Sequence, residues 1–267
     1  MTNLIFLRQR LKVVDTIKKT TNAMRLISMS LHSRLRHKKQ YLEAYKKELF
    51  QLVPLFTTTP ITQDQTKDLV IIIGSQKGLC GTFNTALFTF FKSHAAAPCD
   101  VIIVGKQMAN LCILYGVAPK TVYPELNASN FITLATQLSS IILSDNYRLI
   151  TVFSNQPKTF FIQQQVATVV WPLALPDTAE TTQEYLYEQS PQELSAYLCT
   201  LLVKVHMQEL LFSSLLAEQS ARFISMDNST RNAENLLQSM KLQYNKRRQA
   251  DITRELSDLT GSFDSQS

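Results

Sequence analysis

Helix-permissive sequence fills residues 192–260, which read QELSAYLCTLLVKVHMQELLFSSLLAEQSARFISMDNSTRNAENLLQSMKLQYNKRRQADITRELSDLT and contain neither glycine nor proline. The first 53 residues also lack both residue types. Because glycine and proline disfavour helix interiors, we predict a long helix at each end of the chain. Helices of this length need packing partners along their length, so the two are predicted to pair as a long antiparallel coiled coil.

The C-terminal helix carries its own start and stop signals. A capping box places Ser190 at the N-cap, Pro191 at the first helical position and Glu193 at the third, while Gly261 predicts the end. Between them, residues spaced alternately by three and four form an imperfect seam. The predicted seam members are Leu198, Leu201, Val205, Gln208, Phe212, Leu215, Gln219, Arg222, Met226, Ser229, Ala233, Leu236, Met240 and Gln243.

The N-terminal helix has a narrow apolar stripe and is strongly basic. Residues 1–53 hold twelve Lys/Arg against three Asp/Glu, a net of +9, whereas residues 54–190 carry −2 and residues 191–267 carry −1. This charge indicates an acidic neighbour, which could be nucleic acid, anionic lipid or an acidic protein surface. The predicted stripe comprises Leu4, Leu7, Leu11, Val14, Met24, Ile27, Leu31, Tyr45, Leu49 and Leu52.

The middle of the chain has an α/β pattern. Short apolar runs at residues 68–74, 100–105 and 148–153 predict buried strands. Segments of helical period at residues 83–93, 107–115 and 131–143 alternate with them, which predicts a mostly parallel, Rossmann-like sheet covered on both faces. A turn at residues 155–157 is expected to lead into an antiparallel return over residues 159–171. The predicted organisation is therefore helix 1–56, α/β domain 57–190 with linkers at 57–67 and 177–190, and helix 191–267.

Composition and motifs argue against an enzyme acting alone. No apolar run approaches the roughly 18 residues of a membrane span, and no signal peptide is recognisable. The four cysteines form no CxxC pair and have no histidine at ligand spacing, so we predict no metal, no cofactor and buried single thiols. The sequence Gly74-Ser-Gln-Lys-Gly78-Leu-Cys-Gly81 lies between a strand and a helix but matches no phosphate-binding spacing, which favours a tight connection over a phosphate site.

The residues alone leave three functional readings open. A basic helix suits a coiled-coil scaffold or a nucleic-acid-binding protein, although no recognition module is visible. The loop at residues 74–81 could serve a small α/β enzyme that binds a nucleotide. The polar run at residues 244–256 suits a contact surface, because Arg247, Arg248 and Gln249 lie on about one helical turn and offer several strong donors.

Three blocks of sequence resemble the gamma subunit family of F-type ATP synthases. Residues 17–25 (IKKTTNAMR) are similar to the family's I-x-x-T-x-K-A-M-K/E, and residues 78–84 (GLCGTFN) to its G-L-C-G-x-x-N. The most specific block begins with Glu218-Gln-Ser-Ala-Arg222 and runs to residues 244–256, which resemble Y-N-x-x-R-Q-A-x-I-T-x-E-L. The resemblance extends from about residue 4 to 260. Departures at Asn22, Gln76, Ala217 and Phe223 indicate a divergent member.

The resemblance implies a non-catalytic central rotor. The paired helices would turn inside a ring of three alpha and three beta subunits, and the α/β domain would rest with the epsilon (and delta) subunits on the membrane c-ring. Proton flow would thereby drive conformational change at the catalytic beta subunits. No nucleic acid and no small-molecule substrate is implied, and the expected location is the cytoplasmic face of a bacterial inner membrane. The residues expected to contact the surrounding hexamer are Met24, Arg25, Arg248, Gln249 and Thr253.

Overall fold

The computed structural model describes residues 2–51, 67–94, 99–144, 147–173 and 191–264. Along the chain, two long helices precede and follow a set of five strands and three shorter helices. In chain order the elements are α1 (Thr2–Gln51), β1 (Asp68–Ile73), α2 (Phe83–His94), β2 (Cys99–Val104), α3 (Lys106–Leu114), β3 (Thr121–Tyr123), α4 (Phe131–Ser144), β4 (Leu149–Pro157), β5 (Gln163–Trp171) and α5 (Pro191–Asp264). The predicted helix–α/β–helix order is confirmed. Ser190 and most of the predicted linkers lie outside the described residues.

The strands form one sheet in the order β3-β2-β1-β4-β5. The first four strands run parallel, and β5 returns antiparallel to β4. Strand β3 was not predicted from the sequence, because three half-buried residues give too short a pattern to recognise. The predicted α/β class, with a mostly parallel sheet and an antiparallel return, is confirmed.

Alternate residues of the central strands point to opposite faces, and each face has its own cover. Val70 and Ile72 pack with Phe88 and Phe91 of α2 and with Met108 of α3. On the other face, the buried strand residues pack with α4 and with the first part of α5. The α4 and α5 side chains in that core are Leu134, Ala135, Leu138, Ile142, Val203, Met207, Leu210, Leu211, Phe212, Leu215 and Leu216.

Helix α5 is apolar where it belongs to this core. By length and composition the segment Glu193–Ser257 could cross a membrane, since its most apolar window has a mean hydropathy of 1.2. However, 72% of that window is buried inside the protein. The apolar residues of α5 are thus accounted for by packing on the sheet.

The chain divides into two compact units. Unit 1 contains Met1–Ile27 and Phe223–Ser267, and unit 2 contains Ser28–Arg222. In unit 1, Val14 packs with Ala233, Leu237 and Met240, while in unit 2 Leu49 packs with Leu202 and Val205. The helices run antiparallel in unit 1, because Lys18 pairs with Glu234 and the later residue Arg25 pairs with the earlier residue Asp227. They also run antiparallel in unit 2, because Lys46 pairs with Glu209 whereas Leu49 packs with the earlier residues Leu202 and Val205. The division of the sequence at residues 56 and 190 stays a prediction.

Two predicted boundaries are wrong. Helix α5 does not stop at Gly261 but continues to Asp264, because a single glycine costs only about 1 kcal/mol relative to alanine in a helix. The turn expected at residues 155–157 is part of β4, which extends to Pro157. Proline is accommodated at this strand end, and the chain reverses over the next five residues, where Lys158 N–H donates to Ile162 O at 3.0 Å.

The seam of unit 1 agrees with the predicted one at Met226, Ala233 and Met240, which are buried, and differs at the members between them. Leu237 is 7% exposed, whereas the predicted seam member Leu236 is 44% exposed. Thr230 is similarly buried in place of Ser229, which is half-buried. Both phases satisfy an alternation of three and four, so the residues of α1 opposite decide which one is used.

The predicted apolar stripe of α1 is wrong at three positions beyond Val14, although Leu49 is buried as predicted. Ile27 in unit 1 is 53% exposed, and Leu31 and Tyr45 in unit 2 are 39% and 45% exposed. Polar residues occupy the inward positions of unit 1 instead, namely Lys18, Thr21 and Arg25, all half-buried. Apolar periodicity missed them because it assumes that a packed face is hydrophobic.

Candidate functional site

The polar end of α5 in unit 1 presents two strong donors to solvent. Arg248 and Gln249 are exposed, and neither side chain has a hydrogen-bond or ion-pair partner among the described residues. Thr253 is also exposed, and its hydroxyl donates to Gln249 O at 2.9 Å. Tyr244 and Asp251, seven positions apart, are half-buried and mark the packed side of the helix. Gln249 and Thr253 lie on the opposite side, whereas Arg248 is exposed beside the packed side, within one turn of both half-buried residues. The three predicted contact residues are therefore placed on an open helical surface.

Met24 and Arg25, the other predicted contact residues, lie at a different level of unit 1. Arg25 Nη1 donates to Asp227 Oδ1 at 2.7 Å, so this part of α1 is opposite Asp227 of α5. Asp227 and Arg248 are 21 residues apart on one helix, or about 32 Å at 1.5 Å per residue. The structure thus gives two separate groups of predicted contact residues, and their role in contacting neighbours stays a prediction.

Polar contacts between the helices surround Arg25 in unit 1. Thr230 Oγ1 donates to Thr21 Oγ1 at 2.9 Å, and Lys18 Nζ lies 2.9 Å from Glu234 Oε1. These four residues, together with Arg25 and Asp227, form a polar seam between the helices. The apolar cluster around Val14 is the next group of contacts along the two helices. The sequence interpretation missed Asp227. The signal was present, because residues 18, 21 and 25 on α1 and residues 227, 230 and 234 on α5 share the spacing of three and four.

The loop between β1 and α2 in unit 2 is held by Arg222 of α5. Arg222 Nε donates to Gly78 O at 3.3 Å and Nη2 donates to Lys77 O at 3.2 Å. Nη1 donates to Gln219 Oε1 at 3.2 Å, and Nη2 also pairs with Glu218. The side chains of Glu218 and Arg222 are each only 5% exposed. Burial raises the pKa of Glu218, and the charge of Arg222 opposes that rise.

The same loop uses its other polar groups internally. Ser75 N–H donates to Asn84 Oδ1 at 3.0 Å, and Asn84 Nδ2 donates to Ser75 Oγ at 2.7 Å. Leu79 adopts a positive φ of 65°, and the loop then turns into α2 with Phe83 buried. A phosphate site at a sheet's carboxyl edge needs free backbone donors. Here the Ser75 donor is taken, which favours the tight connection predicted from the sequence.

Buried polar side chains also occupy the neighbouring strand ends. Ser214 Oγ of α5 donates to Ile73 O at the end of β1, at 3.3 Å. Asn155 Nδ2 of β4 donates to Phe83 O at 3.1 Å. In an open parallel sheet, ligands bind where adjacent strands connect in opposite directions, which in this sheet is beside β1 and β4. Helix α5 and the start of α2 fill that position in this protein.

The cysteines and carboxylates form no further centre. All four thiols are free, and three of them, Cys80, Cys112 and Cys199, are buried. Burial raises the pKa of Cys112 to about 11, so this thiol is protonated and unreactive at neutral pH. In the part of the chain that the structure describes, no group of three or more His, Cys, Asp or Glu side chains could hold a metal ion.

The third block of the resemblance, which begins at Glu218, contacts each of the other two. Residues 78–84 contact Arg222 and its neighbours in unit 2. Residues 17–25 contact Asp227 and Thr230 in unit 1. Residues distant in sequence are therefore linked by direct hydrogen bonds within each unit.

Comparison with known proteins gives the same picture over the whole chain. A family model described as ATP synthase matches residues 3–265. The ATP synthase gamma chain of Christiangramia forsetii is 29% identical over 98% of both chains. The gamma chain of Rickettsia canadensis is 28% identical over 96% of both chains.

Solved structures show the same fold. The rotor of the Euglena gracilis mitochondrial ATP synthase matches with a TM-score of 0.72 at 14% identity, covering 94% of this chain and 99% of that one. A chain from the central stalk and c-ring of the Tetrahymena thermophila mitochondrial ATP synthase matches with a TM-score of 0.58 at 18% identity, covering 78% of this chain. The chain therefore belongs to the ATP synthase family as a gamma chain, a non-catalytic part of the rotary central stalk in a membrane-bound complex that synthesises ATP.

Proposed function

We propose that this chain turns inside a ring of three alpha and three beta subunits and transmits rotation between that ring and a membrane c-ring. The α/β domain would be held with the epsilon (and delta) subunits against the c-ring, on the cytoplasmic face of the inner membrane. Proton flow would turn the c-ring and this chain together. Each catalytic beta subunit would then meet a different side of the rotor in turn, which biases its conformational equilibrium.

The observation that carries this proposal is the exposure of Arg248 and Gln249 in the last part of α5, where only Tyr244 and Asp251 are half-buried between residues 241 and 257. Both side chains are exposed and unpartnered among the described residues, although a guanidinium and an amide are strong hydrogen-bond donors. With Thr253 they supply polar contacts to the surrounding subunits. Met24 and Arg25 supply a second contact at the level of Asp227.

The charge of α1 suits such a moving contact. Within residues 1–53 the net charge is +9, and an acidic surface on a stationary neighbour would attract it. Exposed ion pairs contribute only about 0–1 kcal/mol each, because water and salt screen them. Several weak pairs can form and break as the rotor turns, whereas a few strong ones would hold it in one position.

The test is a double substitution, Arg248→Ala with Gln249→Ala, in a reconstituted ATP synthase containing this chain. We expect ATP hydrolysis to fall about threefold to tenfold, which corresponds to about 0.7–1.4 kcal/mol in the activation barrier. Proton pumping should fall with it. The measurements are steady-state hydrolysis and pumping into sealed vesicles, with assembly checked by subunit composition.

A matched control distinguishes the site from the general polarity of α5. Gln238→Ala with Lys241→Ala also removes one amide and one cation from exposed positions of the same helix. The control should change hydrolysis by less than about twofold. Equal losses in the two double variants, or unchanged hydrolysis and pumping in the Arg248/Gln249 variant, would rule out the contact assignment.

A further inference from the structure

Asp227 in unit 1 binds two arginines at once. Its Oδ1 accepts from Arg25 Nη1 of α1 at 2.7 Å, and its Oδ2 lies 3.0 Å from Nε of Arg231, one turn further along α5. The Asp227 side chain is 17% exposed, Arg25 is 32% exposed and Arg231 is 74% exposed. Each carboxylate oxygen therefore has its own cationic partner, and the two partners differ in exposure.

Arg25 is incompletely satisfied in this arrangement. Its Nε is buried and has no hydrogen-bond partner among the described residues, so the ion pair with Asp227 leaves a buried donor unused. A guanidinium carries five N–H donors in a fixed fork, and a buried unpaired donor disfavours the state that contains it. The conformation that holds Arg25 against Asp227 is thus bonded but not optimal.

We propose that Asp227 is a positioning residue. It holds Arg25 on the rotor during the intervals in which Arg25 is not bound to a carboxylate of a stationary subunit. When Arg25 turns outward to that carboxylate, Arg231 keeps Asp227 paired. Release of Arg25 therefore leaves no isolated buried charge, which is the main cost of breaking a partly buried ion pair. The inference rests on the proposed contact role of Arg25 and adds what controls that contact.

The partner is a carboxylate because of the chemistry of the guanidinium. Arg25 offers a planar fork that matches the two oxygens of Asp or Glu and allows Nε and one terminal nitrogen to donate together. In that geometry the Nε that is unused within the rotor gains an acceptor. Asp227 competes with the external carboxylate for the same guanidinium and so shortens the time for which the rotor is held.

The test uses Arg25→Gln, Asp227→Asn and the double variant in the reconstituted complex, with ATP hydrolysis and protons pumped per ATP measured at several salt concentrations. Asp227→Asn should slow hydrolysis by about twofold to fivefold at low salt, because Arg25 then stays longer on its external partner. High salt should restore the rate. Arg25→Gln removes the contact itself, so it should lower pumping per ATP and abolish the salt-dependent slowing of hydrolysis, and the double variant should behave like Arg25→Gln.

A purely structural ion pair predicts a different pattern. The two single variants would then change hydrolysis and pumping in the same direction, as would Glu234→Gln, which breaks the neighbouring Lys18–Glu234 pair. That result would overturn the inference but leave Arg25 as a contact. If Arg25→Gln changes neither hydrolysis nor pumping, the contact role of Arg25 and the inference both fail, whatever the Arg248/Gln249 variant shows.

A third substitution keeps the test valid if Asp227→Asn fails to assemble. Arg231→Gln alters a side chain that is 74% exposed and should leave assembly intact. Without Arg231, release of Arg25 leaves Asp227 unpaired, so Arg25 should stay on the rotor more of the time. Pumping per ATP should then fall towards the level of Arg25→Gln, and unchanged pumping would overturn the inference.

Discussion

Helix α5 pairs carboxylates with cations in both units, but the two environments differ. In unit 2, Glu218 and Arg222 are each 5% exposed, and Arg222 also donates to two loop carbonyls. In unit 1, Asp227 is 17% exposed and Arg25 is 32% exposed, with one hydrogen bond between them. Buried groups with several partners fix a position, whereas Arg25, which is partly exposed and bonded only to Asp227 among the described residues, can exchange that partner for another. The α5 helix is therefore anchored in unit 2 and adjustable in unit 1.

Breaking the unit 2 pair should give the largest effect. Arg222→Ala leaves Glu218 buried without its cation and two loop carbonyls without their donor. We expect the free energy of unfolding of the full chain to fall by about 3–5 kcal/mol, which is typical of removing one partner of a buried pair. Denaturant unfolding followed by circular dichroism measures this change.

The matched control for Arg222 is Arg231→Ala in unit 1. Arg231 also pairs four residues back with a carboxylate on α5, but its side chain is 74% exposed. Arg231→Ala should lower the free energy of unfolding by less than about 0.5 kcal/mol. Comparable losses from the two substitutions would remove the distinction between the anchored and adjustable regions.

A second pair in unit 2 links α5 to α1 and gives a pH-dependent test. Burial alone would raise the pKa of Glu209, but hydrogen bonds from His206 and Lys46 and the positive charge of these groups hold that pKa at about 2. A carboxylate whose folded pKa lies below its unfolded value of about 4.3 stabilises the fold above that value. This stability is lost as the pH falls from about 5 towards 2.

We therefore expect Glu209→Gln to lower the free energy of unfolding by roughly 1–3 kcal/mol at pH 7 and by progressively less at lower pH. Unfolding curves of both proteins between pH 7 and pH 3 provide the measurement. Glu43→Gln is the control, because its pair with Lys39 lies within α1 and its side chain is 56% exposed. A difference between wild type and Glu209→Gln that stays constant with pH would show that the charge of Glu209 contributes little.

The sequence was sufficient where one local pattern dominates. The run of residues 69–73 is fully apolar and bounded by Asp68 and Gly74, so a buried strand was the only consistent interpretation. It was insufficient where two arrangements satisfy the same local rule. Leu236 and Leu237 are equally apolar neighbours, and only the α1 residues opposite determine which one is buried.

The candidate site shows the same limit. Arg248 and Gln249 are singled out by a polar run that continues a helix of apolar seam residues, and Thr253 follows only from the family resemblance. Their contact role stays a prediction. Asp227 was missed because its significance depends on Arg25, which lies 202 positions away in the chain. Pairing between distant polar residues follows from the helix register, and apolar periodicity alone does not fix that register.

The smallest effect is expected for the most exposed interhelix pair of the polar seam. Lys18 and Glu234 are 36% and 47% exposed and lie 2.9 Å apart. A double-mutant cycle with Lys18→Gln and Glu234→Gln should give a coupling of about 0.2–1 kcal/mol that declines with added salt. The Asp15–Lys19 pair within α1 is the control, since it has similar chemistry but does not join the helices. A salt-independent coupling above about 2 kcal/mol for Lys18 and Glu234 would mean that the polar seam also fixes α5, and the contrast between the two units would then be lost.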